Sequence, residues 1–236
     1  MKYCIIGSGG REHALCSSLK NSNNISKIYC IPGNAGTSLI AENKSIDLKD
    51  FEQIKDFIKK NEIDIVLVGP EQPLVDGIVD YLEQFKIKVF GPSKLASQLE
   101  GSKIFTKNLC KKYNIPTANF GIFKNSEDAN KFLEKCNLPI VIKADGLASG
   151  KGVYICNSKD EGLTAIKEIF EGKFGLAEKI LIEEFLDGEE MSFFIISDGK
   201  NYKTFSTAQD HKRVLEGDKG KNTGGMGAYS PSRLEN

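Results

Sequence analysis

The sequence predicts an α/β protein, with an open, mostly parallel, Rossmann-like sheet first and a smaller α+β unit after it. Three observations carry that reading. Short apolar runs alternate with helix-period stripes through the first ninety residues. The predicted strands of that part run into turns bearing glycine or proline. Beyond Pro116 the pattern changes to two strand–helix repeats and then to a strand-rich stretch. Alternating strands and helices favour parallel pairing, because a parallel return needs a crossover and a helix supplies it.

Taken in order, residues 2–6 read as a strand, Gly7-Ser8-Gly9-Gly10 as a turn, and Ala14, Leu15 and Leu19 as one face of a helix. Lys27 to Ile31 is a second strand, ended by Pro32-Gly33-Asn34, and Phe51, Ile54 and Ile58 mark the next helix. Ile63 to Val68 is a strand stopped by Gly69-Pro70; Val75, Ile78, Val79, Leu82 and Phe85 form one helical stripe, followed by strand Lys88 to Phe90 and Gly91-Pro92. In open sheets of this kind ligands bind beyond the carboxyl ends of the strands, so these loops line one candidate pocket. Ser102 to Tyr113 reads as a helix set off by Pro116. The second unit reads as strand 118–123, helix 126–136, strand 140–144, glycine loop 145–152, strand 153–156, helix 158–170 and strand 179–184. Strands over 191–196 and 202–207 lead into a polar, glycine-rich segment, 210–228.

The 236 residues carry 32 basic and 32 acidic side chains, and this balance gives no support to a polyanion-binding surface or a nucleic-acid partner. Basic residues comprise 29 Lys and only Arg11, Arg213 and Arg233, so a Lys is informative only in context. The six Cys show no metal-ligand spacing and read as free thiols of a reducing compartment. No signal-like N-terminus and no membrane-length apolar run is present, and a cytoplasmic protein without a membrane partner is the expectation.

Four segments carry candidate chemistry. The turn Gly7-Ser8-Gly9-Gly10 departs from the dinucleotide fingerprint, because Glu12 stands at the third glycine and the second strand ends without a carboxylate. What remains is a glycine turn at a helix N-terminus with Arg11 beside it, suited to an anion; a tight turn with a solvated Arg is the alternative. Lys143 to Val153 is not a Walker A loop, since a strand follows it and Gly152 replaces the hydroxyl residue. A glycine loop between strands makes a flap whose amides can fold over phosphates, with Lys143 and Lys151 as nearby cations; a surface hairpin is the alternative. Ile180 to Glu190 brings carboxylates to the end of an apolar strand, where they can accept from an amino group or ribose hydroxyls, or form a solvated acidic turn. Asp210 to Arg213 and Asn222 to Ala228 set mixed charge beside glycines, the pattern of a small-molecule loop, with His211 read as structural.

Together and in this order the motifs resemble the ATP-grasp superfamily, and within it the glycinamide ribonucleotide synthetase family. The segments that carry the resemblance are Gly7 to His13, Gly69 to Leu74, Lys143 to Val153, Glu183 to Glu190 and Asp210 to Pro231. Leu215 and Lys221 depart from the last signature. The resemblance implies a pre-ATP-grasp domain over 1–101, a linker helix over 102–117, an ATP-grasp lid over 118–187 and the incomplete start of a second ATP-grasp lobe over 188–236. It implies a ligase of purine biosynthesis that converts glycine, 5-phosphoribosylamine and ATP to glycinamide ribonucleotide, ADP and phosphate through a glycyl phosphate. ATP contacts are implied for Lys103, Lys143, Ala148, Ser149, Gly150, Lys151, Gly152, Glu183, Glu184, Phe185, Leu186 and Glu190. Phosphoribosylamine contacts are implied for Gly9, Gly10, Arg11, Glu12 and Glu71, with Gly224 and Gly225 as further substrate contacts. Asp210, Lys212 and Arg213 are the implied catalytic residues near the acyl phosphate and the amine. Magnesium is implied, with its ligands expected beyond residue 236, so no metal ligand is assigned within the chain. A monomer is the favoured oligomeric state. The alternatives are another ATP-grasp carboxylate–amine ligase, and a truncated fragment that binds nucleotide or sugar phosphate without turnover.

Overall fold

A computed structural model describes residues 1–147, 152–173, 175, 177–217 and 219–235, with only the backbone of 221 and 222. The chain divides into two compact units, Met1–Ile115 and Pro116–Asn236. No helix among the described residues is long and apolar enough to cross a membrane.

The first unit runs β1 (Lys2–Gly7), α1 (Gly10–Lys20), β2 (Lys27–Pro32), a 3₁₀ turn (Thr37–Leu39), β3 (Glu42–Asn43), α2 (Phe51–Lys60), β4 (Ile65–Val68), α3 (Glu71–Asp76), α4 (Ile78–Glu83), β5 (Val89–Phe90), α5 (Gln98–Gly101) and α6 (Lys103–Tyr113). Its five strands lie in the order β3-β2-β1-β4-β5, and every pair is parallel. Such strands are buried on both faces, which explains the unbroken apolar run Cys4-Ile5-Ile6. Cys4 and Ile6 pack with Ile54 and Ile58 of α2 and Ile78, Val79 and Leu82 of α4. Ile5 faces the other way, with Cys16 of α1 and Cys30 of β2. Strand order reverses between β1 and β4, so the crevice at their carboxyl ends is the switch point of the sheet.

The single helix expected under the stripe Val75 to Phe85 is two helices. Gly77, with φ +98°, donates its N–H to the carbonyls of Pro73 (3.1 Å) and Leu74 (3.1 Å), closing α3 before α4 begins. A left-handed glycine ends a helix without disturbing the apolar spacing, so Ile78, Val79 and Leu82 remain in the core.

The second unit contains β6 (Phe120–Phe123), α7 (Ser126–Leu133), β7 (Ile140–Ala144), β8 (Val153–Cys156), α8 (Lys159–Phe170) and β9 (Ile180–Glu184). Asn125 and Ser158 cap the two helices by accepting from the N–H groups of Asp128 (2.8 Å) and Glu161 (3.2 Å). The four strands form an antiparallel sheet in the order β6-β9-β7-β8. Alternate residues Ile140, Ile142, Ala144, Ile180 and Ile182 bury against Ala129 and Leu133 of α7 and Ala165, Ile166 and Ile169 of α8. The intervening residues, among them Val141, Lys143, Leu181 and Glu183, therefore share the opposite face.

Among the described residues three short antiparallel pairs complete the unit: β10 (Ile195–Ser197) with β11 (Tyr202–Thr204), β12 (Gln209–Asp210) with β15 (Ala228–Tyr229), and β13 (Arg213–Leu215) with β14 (Lys219–Asn222). The strands expected over 191–196 and 202–207 are shorter, and Ser192 and Ala208 meet only in an isolated bridge. Phe193, Phe194, Ile195, Tyr202 and Phe205 are exposed, so nothing among the described residues supplies the apolar face that would extend these strands.

Candidate functional site

In the first unit the site is built at the carboxyl ends of β1, β2 and β4. Gly9 opens α1, and the Glu12 carboxylate turns back to accept its N–H at 2.5 Å, as an acidic residue at the third helical position can. Glu12 is buried, and the space it fills exists because both neighbouring strands end in glycine. A Cβ on Gly69 would lie 1.9 Å from Glu12 Oε1, and one on Gly7 would lie 2.6 Å from Glu12 Cδ. Arg11 reaches across the switch point, with Nη1 donating to the Gly69 carbonyl and Nη2 to Glu71 Oε1 at 2.9 Å. Burial raises the Glu71 carboxyl, but its own backbone N–H and the Arg11 guanidinium outweigh this and hold it below the usual carboxylate range.

The loop after β2 adds a contact that sequence reasoning did not assign. Asn34 Nδ2 donates to the carbonyls of Ser8 (2.8 Å) and Gly9 (3.3 Å). Pro32-Gly33-Asn34 marks a turn without a ribose-binding carboxylate, and nothing local in the sequence distinguishes the Asn34 amide as a donor to the first turn. Lys103 opens α6 one residue after Ser102, whose hydroxyl caps the helix by accepting from Phe105 N at 3.1 Å. A cation in the first turn stands at the positive end of the helix dipole, so helix stability does not account for it.

In the second unit Lys143 on β7 and Glu183 on β9 form an ion pair. Glu183 stands opposite Val141 and Lys143 opposite Leu181, so the charges meet diagonally on the face away from α7 and α8. The loop 145–152 joins β7 to β8, and the Gly152 carbonyl accepts from Ala144 N at 2.8 Å. Ala148, Ser149, Gly150 and Lys151 lie outside the described residues. Glu184 turns away from this face: its carboxylate accepts from Asn119 N (2.9 Å) and Nδ2 (3.0 Å), and its own N–H donates to the Asn119 carbonyl at 3.0 Å. Phe185 is half-buried and Leu186 exposed.

The residues after β9 come together as two ion pairs, Lys212 with Glu190 and Arg233 with Glu189. Partial burial disfavours the Lys212 ammonium, yet its hydrogen bond to Glu190 and the charges of Glu190 and Asp210 raise its pKa above the ordinary value. Asp210 pairs with Ala228 across β12 and β15. Arg213 folds onto its own hairpin, donating to the Gly220 carbonyl at 2.9 Å. Gly224 and Gly225 sit in a loop pinned by Thr223, whose N–H (2.6 Å) and hydroxyl (2.9 Å) both donate to the Lys212 carbonyl. Gly225 N–H donates to Thr223 Oγ1 at 3.0 Å. His211 stacks on Tyr229 with ring centroids 5.9 Å apart, which fits a structural part. No three Asp, Glu, His or Cys side chains come together as a metal site among the described residues.

Comparison with known proteins also divides the chain in two, with the boundary between residues 100 and 101, before α6, rather than after it. Residues 1–100 match the model of the phosphoribosylglycinamide synthetase N domain, and residues 101–235 match that of the phosphoribosylglycinamide synthetase ATP-grasp (A) domain. The chain belongs to the phosphoribosylglycinamide synthetase family. A phosphoribosylamine–glycine ligase of Brucella melitensis is 52% identical over 233 residues, covering 98% of this chain and 55% of that protein. The crystal structure of a phosphoribosylamine–glycine ligase from Thermotoga maritima is similar with a TM-score of 0.83 and 34% identity, covering 98% of this chain and 56% of that one. An N5-carboxyaminoimidazole ribonucleotide synthetase in complex with ADP, 22% identical with a TM-score of 0.69 over 89% of this chain and 54% of that one, shares the fold. The chain spans about half the length of the curated family members it matches.

Proposed function

We propose that this chain carries the sugar-phosphate site and part of the nucleotide site of an ATP-dependent ligase that joins glycine to 5-phosphoribosylamine. The reaction yields glycinamide ribonucleotide, ADP and phosphate. The observation that carries the reading is the switch-point crevice of the first unit. There an anion-accepting helix N-terminus, Arg11 and Glu71 stand at adjacent strand ends, and the match to the family's N domain supports the reading.

In this reading the Gly10 amide and the Arg11 guanidinium hold phosphoribosylamine, with Gly9 letting the backbone approach it, Glu71 beside the sugar and Glu12 bracing the Gly9 N–H from beneath. Lys103 and Lys143 neutralise ATP phosphates, and the loop 148–152 covers them. Glu183 and the backbone of 184–186 receive the adenine, and Glu190 the ribose hydroxyls. A glycine carboxylate oxygen attacks the γ-phosphorus and ADP leaves. The phosphoribosylamine nitrogen then attacks the acyl carbon, expelling phosphate and losing a proton. No protein nucleophile is needed, so the chain acts by positioning and by neutralising charge, with Asp210, Lys212 and Arg213 beside the acyl phosphate and Gly224 and Gly225 allowing close approach. Magnesium is the expected companion of ATP. The described side chains do not fit a site for it, because Glu183 and Glu190 are engaged by lysines and no third ligand joins either. No step is routed through the ion.

We further propose the division 1–101, 102–117, 118–187 and 188–236 given by the motifs, the last being part of a larger lobe, and a cytoplasmic, monomeric enzyme. The test is glycine-dependent ADP release in the presence of phosphoribosylamine, measured on this chain and on one of the length its relatives have. Glycine-dependent release from the longer chain is expected; no response to glycine from either chain overturns the reading. A second reading, binding without turnover, is favoured by the half-length coverage alone. ADP release from the 236-residue chain removes it.

A further inference from the structure

We propose that Asn34 is a positioning residue for the sugar-phosphate turn, holding the Ser8–Gly9 peptide so that the next amide, Gly10 N–H, faces the bound anion. The inference rests on the reading of the first-unit crevice as a phosphoribosylamine site.

In a trans peptide the carbonyl and the following N–H point in opposite directions, so gripping both ends fixes the plane. The Ser8–Gly9 peptide is gripped in that way: its carbonyl accepts from Asn34 Nδ2 at 2.8 Å, and its N–H donates to Glu12 Oε2 at 2.5 Å. The next carbonyl, that of Gly9, accepts from His13 N at 3.2 Å and from Asn34 Nδ2 at 3.3 Å. Gly10 N–H is therefore turned away from the helix and from Asn34. A Cβ on Gly10 would meet nothing within 4 Å, so that side is open to a ligand.

Asn34 is itself held in place from behind. Its N–H donates to Thr37 Oγ1 at 2.7 Å, and its Oδ1 accepts from Thr37 N at 2.9 Å. Asn43 on the edge strand β3 donates from Nδ2 to the Asn34 carbonyl at 2.7 Å. The Thr37 hydroxyl has one proton for two acceptors, Asn43 Oδ1 at 2.8 Å and the Asn34 carbonyl at 2.9 Å. Because Asn43 already serves the carbonyl, the proton goes to Asn43 Oδ1 and the ring of contacts closes. Thr37 is fully buried, so this bracket is rigid. The one donor it projects outward, Asn34 Nδ2, is spent on the turn at an exposed position, where a hydrogen bond adds little to stability.

The test compares Asn34→Asp and Asn34→Ala with the unaltered protein, in the full-length enzyme. Asn34→Asp keeps the acceptor that binds Thr37 N, loses the donor and adds a negative charge, whereas Asn34→Ala loses the donor without adding charge, so an effect common to both belongs to the donor. Expected for both variants is a KM for phosphoribosylamine raised about tenfold, the effect of one lost positioning hydrogen bond, with the KM for ATP unchanged. Ribose 5-phosphate, used as a probe in calorimetry, is expected to bind correspondingly more weakly. Amide exchange at Gly9, whose N–H is held by Glu12, is expected to quicken, while the Tm of Asn34→Asp stays at the unaltered value. Unchanged exchange at Gly9, or a rise in every KM together with a fallen Tm, overturns the proposal. If the unaltered protein neither binds ribose 5-phosphate nor uses phosphoribosylamine, the function reading fails, and the exchange comparison alone decides whether Asn34 holds the turn.

Discussion

Arg11 and Glu71 show how one pair of side chains can tie two strand ends together at modest energetic cost. Both are about half exposed, so the pair contributes only about 0.2–1 kcal/mol. Because the folded-state pKa of Glu71 is lowered, that contribution is present above the unfolded value, near 4.5, and is lost as pH falls through the folded value. Urea denaturation is expected to find Glu71→Gln slightly less stable at pH 7, with the gap closing as the pH falls through the folded-state pKa of Glu71. A gap that persists in acid would contradict the assignment. Lys143 and Glu183 behave differently, since Glu183 is buried with a side-chain exposure of only 6%. Removing Lys143 alone takes away the charge that offsets that carboxylate, at a cost of about 3 kcal/mol. Lys143→Ala is therefore expected to melt early as well as to lose ATP use. Adding Glu183→Gln should restore most of the Tm without restoring turnover, and a double variant as unstable as the single one would show that the pair is not the cause.

At the scale of elements, what could be read from the sequence depended on whether a signal was local. Strand β1, the turn at Gly7 to Gly10 and the loop between β7 and β8 were legible because apolar runs and glycines mark them directly. The break at Gly77 was not, because its apolar neighbours keep a helical period across it. Strand β3 escaped too: Glu42 and Asn43 carry no strand character, and they pair with Tyr29 and Cys30 only because the neighbouring loop delivers them. Among the site residues, Lys143 announced itself at the end of an apolar strand, whereas the grip of Asn34 on Ser8 spans 26 residues and leaves no local trace. The least supported element is the β10–β11 pair, two strands with Phe193, Phe194 and Ile195 in solvent. A lone hairpin is marginal in water. Hydrogen exchange is expected to be orders of magnitude faster at 195–204 than at Ile140 to Ala144, whose strand pairs on both sides. Equal protection would mean that something covers the hairpin.

The whole molecule is two units, each with its own core. In the first, apolar clusters line both faces of one sheet; in the second, one face of the sheet is packed under two helices. A unit with a core of its own can fold alone. Residues 1–115 expressed separately are expected to give a cooperative thermal transition and dispersed amide resonances, and a chain that stays unfolded would show that the first unit depends on the second. Folding in two units also makes a single unfolding free energy a poor descriptor of the full chain.

On the proposed reading of the crevice as a sugar-phosphate site, Arg11 has one more consequence, for the way substrate arrives. Its guanidinium is matched by Glu71 before any ligand comes, and the chain as a whole carries no net charge. An approaching phosphate therefore feels little pull from a distance, and salt should hardly slow its entry. Attraction begins only once the phosphate is close enough to compete with Glu71 for the same guanidinium. The crevice selects its ligand by how long it stays.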